Sequence, residues 1–247
     1  MRNIFVLRYV TPLREGGSLP AIVEGDDGFL YVLKFRGAGQ GTKALIAELI
    51  GGELARIAGF KIPELVFAEL DPAYGRSEPD EEIQDLLKAS AGLNLGLHYL
   101  SGSITYDPVA FSIDPLLASK IVWFDAFIMN VDRTPRNTNL LIWKNECWLI
   151  DHGASLYFHH TWDNWEEQST KPFIQIKDHV LLPFATKMKE ADEWMRSKLT
   201  EKVIKETVSL IPENWLKPEE SPEIYTQFLT NRLKHADVFL NQIHASR

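Results

Sequence analysis

The 247-residue sequence has a single cysteine, no long apolar run and no excess of positive charge. Cys147 lies in an apolar segment and has no partner for an internal disulfide, so a disulfide-stabilised scaffold is excluded and a cytoplasmic location is expected. No apolar run approaches the ~18 residues of a transmembrane helix. The N-terminal residues lack a signal-peptide cleavage pattern, so neither secretion nor a membrane span is expected.

The charge balance further limits the classes of partner. A formal net charge of −8 argues against a broad surface for nucleic acid or for anionic lipid. The hydrophobic content of 45% and the charged content of 24% are typical of a globular protein. The length fits one large domain or two lobes that share a cleft.

Residues 128–156 hold a set of polar side chains around two apolar runs: IMNVDRTPRNTNLLIWKNECWLIDHGASL. The apolar runs, residues 140–143 and 147–150, are separated by three polar residues, which predicts a β-hairpin. Asn137 just precedes this hairpin and Asp151 just follows it, so both are expected at one edge of a small sheet. Together with Asp132 they form the set that phosphoryl transfer needs: a carboxylate near the attacking hydroxyl, and an amide and a carboxylate for the metal ions on ATP.

Four strands are predicted in the first part of the chain, at residues 4–10, 21–24, 29–35 and 65–70. In the third strand apolar residues alternate, so that Lys34 falls on an otherwise apolar face. A lysine there is costly unless it meets an anion, and the phosphates of ATP would supply one. The alternative is an edge strand, from which the Lys34 ammonium group would extend into water.

A helix is predicted over residues 42–58, with Thr42 as its N-cap and Gly59 at its end. Apolar residues at helical spacing form its buried face, and Glu48 lies in its first half. Further along, Asp114 and Pro115 predict the N-cap and first position of a buried helix that leads to Asp132. Residues 188–210 and 223–243 have the spacing of amphipathic helices.

The order Asp132-Arg133, then Asn137, then two apolar strands and Asp151-His152-Gly153 resembles the catalytic and metal-binding loops of the protein-kinase superfamily. Its start and its Ile-Asp-His-Gly ending are closest to the HipA-like kinases and the related phosphatidylinositol kinases. The phrase AELIGGELARIAGFKIPE also resembles the HipA-like helix. A histidine stands where typical protein kinases have the phenylalanine of Asp-Phe-Gly, which weakens any inference of a swinging metal loop.

The resemblance implies an α+β, bilobal, protein-kinase-like fold, with a small β-rich N-lobe plus helix (residues 1–100) and a mainly helical C-lobe (residues 101–247). It implies ATP and Mg as cofactors. It also implies that Asp132 is the catalytic base, that Lys34 contacts phosphate and that Glu48 holds Lys34. The expected metal ligands are Asn137 and Asp151. The expected nucleotide-binding residues are Gly16, Gly17, Ser18, Lys34, His98, Tyr99 and Leu100, with Ser18 as a site of regulatory modification.

Several alternatives stay open on the sequence alone. An ordinary hairpin turn explains residues 16–18 equally well, and Glu53 rivals Glu48 as the partner of Lys34. The glycine-rich residues 37–41 could bind phosphate before the helix, although they lack the ending of a Walker loop. Arg133 and Arg136 suit either phosphate or a structural salt bridge. Asp125 is interpreted as a hydrogen-bond anchor, and the histidines at 152, 159 and 160 lack the spacing of a zinc site.

The leading functional hypothesis is an ATP- and Mg-dependent phosphotransferase of the HipA-like serine/threonine protein kinase type. One alternative is a nucleotide-binding regulatory module without transfer activity. Another is a kinase-fold enzyme that phosphorylates a small molecule or lipid, or transfers AMP. The acceptor is expected to be a protein or a small molecule, a regulatory protein partner is left open, and neither nucleic acid nor membrane is expected as a partner.

Overall fold

The computed structural model describes residues 1–13, 19–74 and 80–247. Its N-terminal part is a closed β-barrel with the strand order β1-β2-β3-β5-β4. The strands are β1 (Arg2–Pro12), β2 (Ala21–Gly25), β3 (Leu30–Lys34), β4 (Leu65–Leu70) and β5 (Gly92–His98). Neighbouring strands are antiparallel except β1 and β4, which pair in parallel from Arg2 to Phe5.

The predicted alternation in β3 is confirmed and determines which side chains enter the barrel. Tyr31 and Leu33 are fully buried inside it, whereas Val32 and Lys34 are on the other face with intermediate exposure. The strand is central, flanked by β2 and β5. The edge-strand alternative for Lys34 is therefore wrong.

Two helices accompany the barrel, α1 (Thr42–Ile57) and α2 (Glu81–Ala89). Helix α1 is buried along most of its length because it lies between the barrel and the C-terminal part. Its N-cap is Gly41, without a side-chain cap. The prediction of Thr42 as N-cap is wrong, because the Thr42 hydroxyl donates instead to the carbonyl of Trp215 at 2.7 Å.

The C-terminal part consists of a three-stranded sheet and helices. The strands are β6 (Ile104–Thr105), β7 (Leu140–Trp143) and β8 (Glu146–Leu149), and the sheet order is β6-β7-β8. The helices are α3 (Pro115–Ile128), α4 (Trp165–Ser169), α5 (Met188–Lys198), α6 (Glu201–Val208), α7 (Pro222–Lys234) and α8 (Ala236–Ala245). Short 3₁₀ turns connect them, among them Tyr157–His160 and Trp162–Asn164.

Local chemistry explains where α3 begins. The Asp114 side chain accepts hydrogen bonds from the N–H groups of Leu116 and Leu117, and Pro115 occupies the first turn, as the sequence predicts. The helix ends at Met129, whose backbone is left-handed. This turn directs the chain towards Asp132.

Two apolar cores hold the fold together. The smaller fills the barrel and includes Ile4, Tyr31 and Leu33. The larger joins α1 to α3 and to the later helices, and its largest side chains include Trp123 and Trp215. Since α1 contributes to the larger core, its Glu48 is held against the C-terminal part. The predicted division at residues 100 and 101 stays a prediction.

In the described ranges, no helix combines the length and the apolar character that crossing a bilayer requires.

Candidate active site

Helix α1, strand β3 and the segment after β8 bring three charged side chains together. Lys34 Nζ lies 2.6 Å from Glu48 Oε2 and 2.6 Å from Asp151 Oδ1. Glu48 is 1% exposed, and a second hydrogen bond to its Oε2 comes from the backbone N–H of His152, at 2.8 Å. The rival Glu53 pairs with Arg56 and makes no contact with Lys34 among the described residues.

The electrostatics of this cluster favour the charged forms of Lys34 and Glu48. Burial by itself would lower the pKa of Lys34, but the carboxylates of Asp151 and Glu48 outweigh it and hold that pKa above its usual value. Burial would likewise raise the pKa of Glu48, but Lys34 and His152 hold it well below its usual range. Lys34 is thus a cation at neutral pH, placed between two acids.

A glycine allows α1 to approach the segment that carries Asp151. A Cβ atom added at Gly51 would lie 2.6 Å from the Cβ of His152, closer than side chains can come. His152 is fully buried, with its ring edge-on to Phe124. The sequence signal for this close contact is the pair Gly51 and Gly52 in the middle of a helix. Glycine there lowers helix stability, so its presence indicates a close approach of another segment.

The hairpin β7–β8 is confirmed, with Leu140 paired to Leu149 at its open end. Asn137 precedes β7 and Asp151 follows β8, so both emerge at that end of the sheet. The two sides are joined there by a hydrogen bond from the Ile150 N–H to the Asn139 carbonyl, at 3.1 Å. Asp151 has a positive φ of 57°, a conformation that aspartate tolerates better than most residues.

Asp132 is surrounded by asparagines. Asn137 Nδ2 donates to Asp132 Oδ2 at 2.8 Å, and Asn139 Nδ2 donates to the same oxygen at 3.2 Å. Asn130 Oδ1 accepts the backbone N–H of Asp132 at 3.1 Å. In the sequence only the spacing from Asp132 to Asn137 forms a motif, so sequence reasoning identifies neither Asn130 nor Asn139.

A buried cluster of Asp125, Arg133 and His179 stabilises the loop that carries Asp132. Arg133 Nε donates to Asp125 Oδ2 at 2.5 Å, and His179 Nε2 lies 2.9 Å from the same oxygen. The Arg133 guanidinium and the His179 ring hold the pKa of Asp125 far below its usual range, although burial acts in the opposite direction. Asp125 is therefore a hydrogen-bond anchor, as predicted, and Arg133 forms a structural salt bridge with it. Arg136 is exposed.

Three of the predicted nucleotide-binding residues, His98, Tyr99 and Leu100, lie at the end of β5 and just beyond it. The His98 N–H donates to the carbonyl of Glu64 at 2.9 Å, and the Tyr99 N–H donates to that of Leu30 at 2.8 Å. Both donors are thus occupied within the protein. Of the three predicted residues only Leu100 has a backbone N–H without a partner among the described residues, and nucleotide binding by these residues stays a prediction. Gly16, Gly17 and Ser18 lie outside the described residues.

The glycine-rich loop before α1 contacts the segment that follows Asp151. Gln40 bonds with the ring of His160 at 3.0 Å and with the hydroxyl of Tyr157 at 3.4 Å. Lys43, in the first turn of α1, pairs with Glu220 at 3.2 Å and donates to the carbonyl of His159. Gln40 and Lys43 thus join the start of α1 to residues 157–160 and to Glu220.

The His159 side chain is part of the same packing. Its Nδ1 lies 3.1 Å from the Tyr225 hydroxyl, and the ring is fully buried. Burial lowers the pKa of His159 to about 2, and the neighbouring His160 and Lys43 act in the same direction. His159 is therefore neutral at physiological pH.

The model of the family described as HipA-like kinase matches residues 6–243. No curated protein sequence matches the chain. The structure is similar to the crystal structure of the Helicobacter pylori proinflammatory kinase CtkA, with a TM-score of 0.54, 12% identity and coverage of 99% of this chain and 97% of that one.

A second similar structure is that of the Golgi casein kinase with Mn/ADP bound. The TM-score is 0.56 and the identity 12%, over 99% of this chain and 74% of that chain. At such low identity these two similarities show the fold. The predicted α+β kinase-like fold, with its β-rich N-terminal part and helical C-terminal part, is confirmed.

Proposed function

Because this chain belongs to the HipA-like kinase family and is therefore a phosphotransferase, we propose that it transfers the γ-phosphoryl group of ATP to a hydroxyl group, with Mg²⁺ as the metal. The proposed acceptor is a serine or threonine of a protein, and a small-molecule alcohol is the alternative. The observation that carries the proposal is the position of Lys34 Nζ, 2.6 Å from each of Glu48 and Asp151.

This contact supports phosphate binding for a physical reason. The Lys34 ammonium group is charged and is bound by two carboxylates. Its position is therefore fixed before a nucleotide binds. The site thus has a fixed cation for phosphate oxygens, and preorganised charges of this kind are the main source of catalysis in phosphoryl transfer. Glu48, being buried and bound to the His152 N–H, keeps Lys34 in place.

The donor set fits a divalent metal. The proposed ligands, the amide oxygen of Asn137 and the carboxylate of Asp151, are hard oxygen donors of the kind that Mg²⁺ prefers. The structurally similar Golgi casein kinase has Mn and ADP bound, which supports a nucleotide with a divalent ion here. When bound, the metal would neutralise charge on the phosphates. Asp132 is the proposed base that orients the acceptor hydroxyl and takes its proton.

Two measurements test the proposal. Binding of Mg-ATP at about 100 times its dissociation constant stabilises the folded protein by roughly 2.7 kcal/mol, which a thermal melt detects. Release of ADP from Mg-ATP is then followed with and without host lysate as the source of acceptor, and intact mass distinguishes added phosphate from added AMP.

The variants Asp132→Ala and Asp151→Asn are compared with Asp163→Ala, an exposed acid outside the site. We expect Asp132→Ala to keep the thermal shift and lose turnover, and Asp151→Asn to lose turnover and weaken the dependence on Mg²⁺. Retention of wild-type turnover and Mg²⁺ dependence by Asp151→Asn would refute the metal assignment. A wild-type protein without any ADP release would refute the function.

A further inference from the structure

Only one of the two carboxylate oxygens of Asp132, Oδ2, accepts hydrogen bonds from described residues. Both side-chain amides that reach it, from Asn137 at 2.8 Å and from Asn139 at 3.2 Å, donate to Oδ2. None of the described residues donates a hydrogen bond to Oδ1. The carboxylate is therefore oriented, with one oxygen occupied and the other free to accept a proton.

The two asparagines differ in their surroundings. Asn137 is exposed, and its amide oxygen is the proposed ligand of a metal ion. Asn139 is 7% exposed, and its Nδ2 donates also to the backbone carbonyl of Asp132, at 3.1 Å. One amide group thus binds both the backbone and the side chain of Asp132.

The backbone of Asn139 is itself fixed from two sides. Its carbonyl accepts hydrogen bonds from the buried guanidinium of Arg133 and from the N–H of Ile150. Its φ of 47° lies in the left-handed region, where asparagine is favoured over most other residues. Asn139 is therefore held between the loop of Asp132 and the strand that leads to Asp151.

We propose that Asn139 is a positioning residue, which binds Oδ2 of Asp132 and so turns Oδ1 towards the acceptor hydroxyl. This inference rests on the proposed phosphotransferase function. In the step concerned, the acceptor oxygen forms a bond to the γ-phosphorus of ATP, and the bond from that phosphorus to the bridging oxygen breaks with its electron pair going to ADP. The acceptor proton passes to Oδ1 of Asp132.

The variants Asn139→Gly and Asn139→Asp test this role. Glycine removes the amide and adopts the left-handed backbone without strain, so the fold is expected to survive. Aspartate keeps the shape but replaces the donor with a second carboxylate beside Asp132. The matched control is Asn145→Asp, at another asparagine with positive φ (63°), which is exposed in the β7–β8 turn.

The readout is ADP release from Mg-ATP with water as the acceptor, which gives kcat and the KM for ATP, together with the melting temperature. Since a hydrogen bond to a charged group is lost, we expect Asn139→Gly to lower kcat by about 10- to 100-fold, with the KM for ATP within about twofold of wild type. In Asn139→Asp a carboxylate replaces the donor beside Asp132, so kcat should fall at least as far, again with little change in the KM for ATP. A purely structural role would lower the melting temperature and change kcat and KM together.

The possible results separate the positioning role of Asn139 from the proposed phosphotransferase function. If the wild type is active and both Asn139 variants match Asn145→Asp in kcat and in the KM for ATP, Asn139 has no positioning role and the phosphotransferase function stands. If the variants lose activity only in proportion to a loss of folded protein, the positioning role is likewise overturned. If the wild type releases no ADP either with water or with host lysate as the source of acceptor, the proposed function fails and this inference fails with it.

Discussion

Lys34 Nζ and Asp151 Oδ1 lie 2.6 Å apart although 117 positions separate them in the chain. Glu48 completes the contact from a third element, helix α1. Strand β3, helix α1 and the segment after β8 are thus joined through a single ammonium group.

Replacing Lys34 with methionine should destabilise the fold and abolish turnover. The change leaves the buried carboxylate of Glu48 without its counter-charge, and breaking a buried ion pair costs about 3–5 kcal/mol. Urea denaturation measures the loss. The double variant Lys34→Met/Glu48→Gln should recover part of the stability but none of the activity. Equal stability of the single and double variants would show that the pair is not coupled.

Replacing Gly51 with alanine should distort the contact between α1 and His152. The added Cβ would lie 2.6 Å from the His152 Cβ, and overpacking of this kind costs about 1–3 kcal/mol, against which the better helix propensity of alanine offsets at most about 1 kcal/mol. The control is Gly52→Ala, whose Cβ meets the tip of the flexible Leu65 side chain. We expect a lower melting temperature and a higher KM for Mg-ATP only in Gly51→Ala. If Gly52→Ala has the larger effect on KM, the close approach at His152 does not matter for the site.

Acid should destabilise the protein between pH 7 and pH 5 through His159. Burial lowers the pKa of this histidine to about 2 in the folded state, whereas in the unfolded chain it is ~6.5. The unfolded state therefore binds more protons below pH 6.5, and stability falls as the pH falls, by about 2 kcal/mol over this range. Buried His179, whose pKa is lowered mainly by desolvation, adds in the same direction.

The His159→Gln variant checks this dependence, since glutamine can still bond to the Tyr225 hydroxyl. Its free energy of unfolding should vary less between pH 7 and pH 5 than that of the wild type. His244→Gln, at an exposed position, should behave as the wild type does. An unchanged slope in His159→Gln would mean that His159 is protonated to the same degree in both states.

Replacing Arg232 with methionine should cost about 2–4 kcal/mol of stability. Its side chain is 1% exposed and donates to the carbonyls of Ala126 and Phe127, each at 2.7 Å. Burial lowers the pKa of Arg232 to about 9, and its guanidinium donates also to the carbonyls of Ser169 and Lys171. Methionine would leave these carbonyls unsatisfied. Urea denaturation with the exposed Arg8→Met as control measures the effect, and an equal midpoint in both variants would contradict it.

Local patterns predicted much of the fold. The start of α3 follows from Asp114 and Pro115, and the hairpin β7–β8 follows from two apolar runs around a polar turn. In each case the cause lies within a few residues of the element, so the sequence contains it. The Thr42 cap failed because a distant carbonyl, that of Trp215, competes for its hydroxyl.

The sequence by itself determined the chemistry available to this protein: a lysine on an apolar strand face, an acid in a helix, and two acids with an asparagine around a hairpin. Only the tertiary structure decided which of these groups meet. It selected Glu48 over Glu53, placed Lys43 against Glu220, and set Asn139 beside Asp132. The physical reason is that periodicity and capping act over a few residues, whereas the contacts of Glu48 and Lys43 depend on how helix α1 packs between the barrel and the C-terminal helices. The contact of Asn139 depends on its left-handed backbone and on the buried Arg133 that binds its carbonyl.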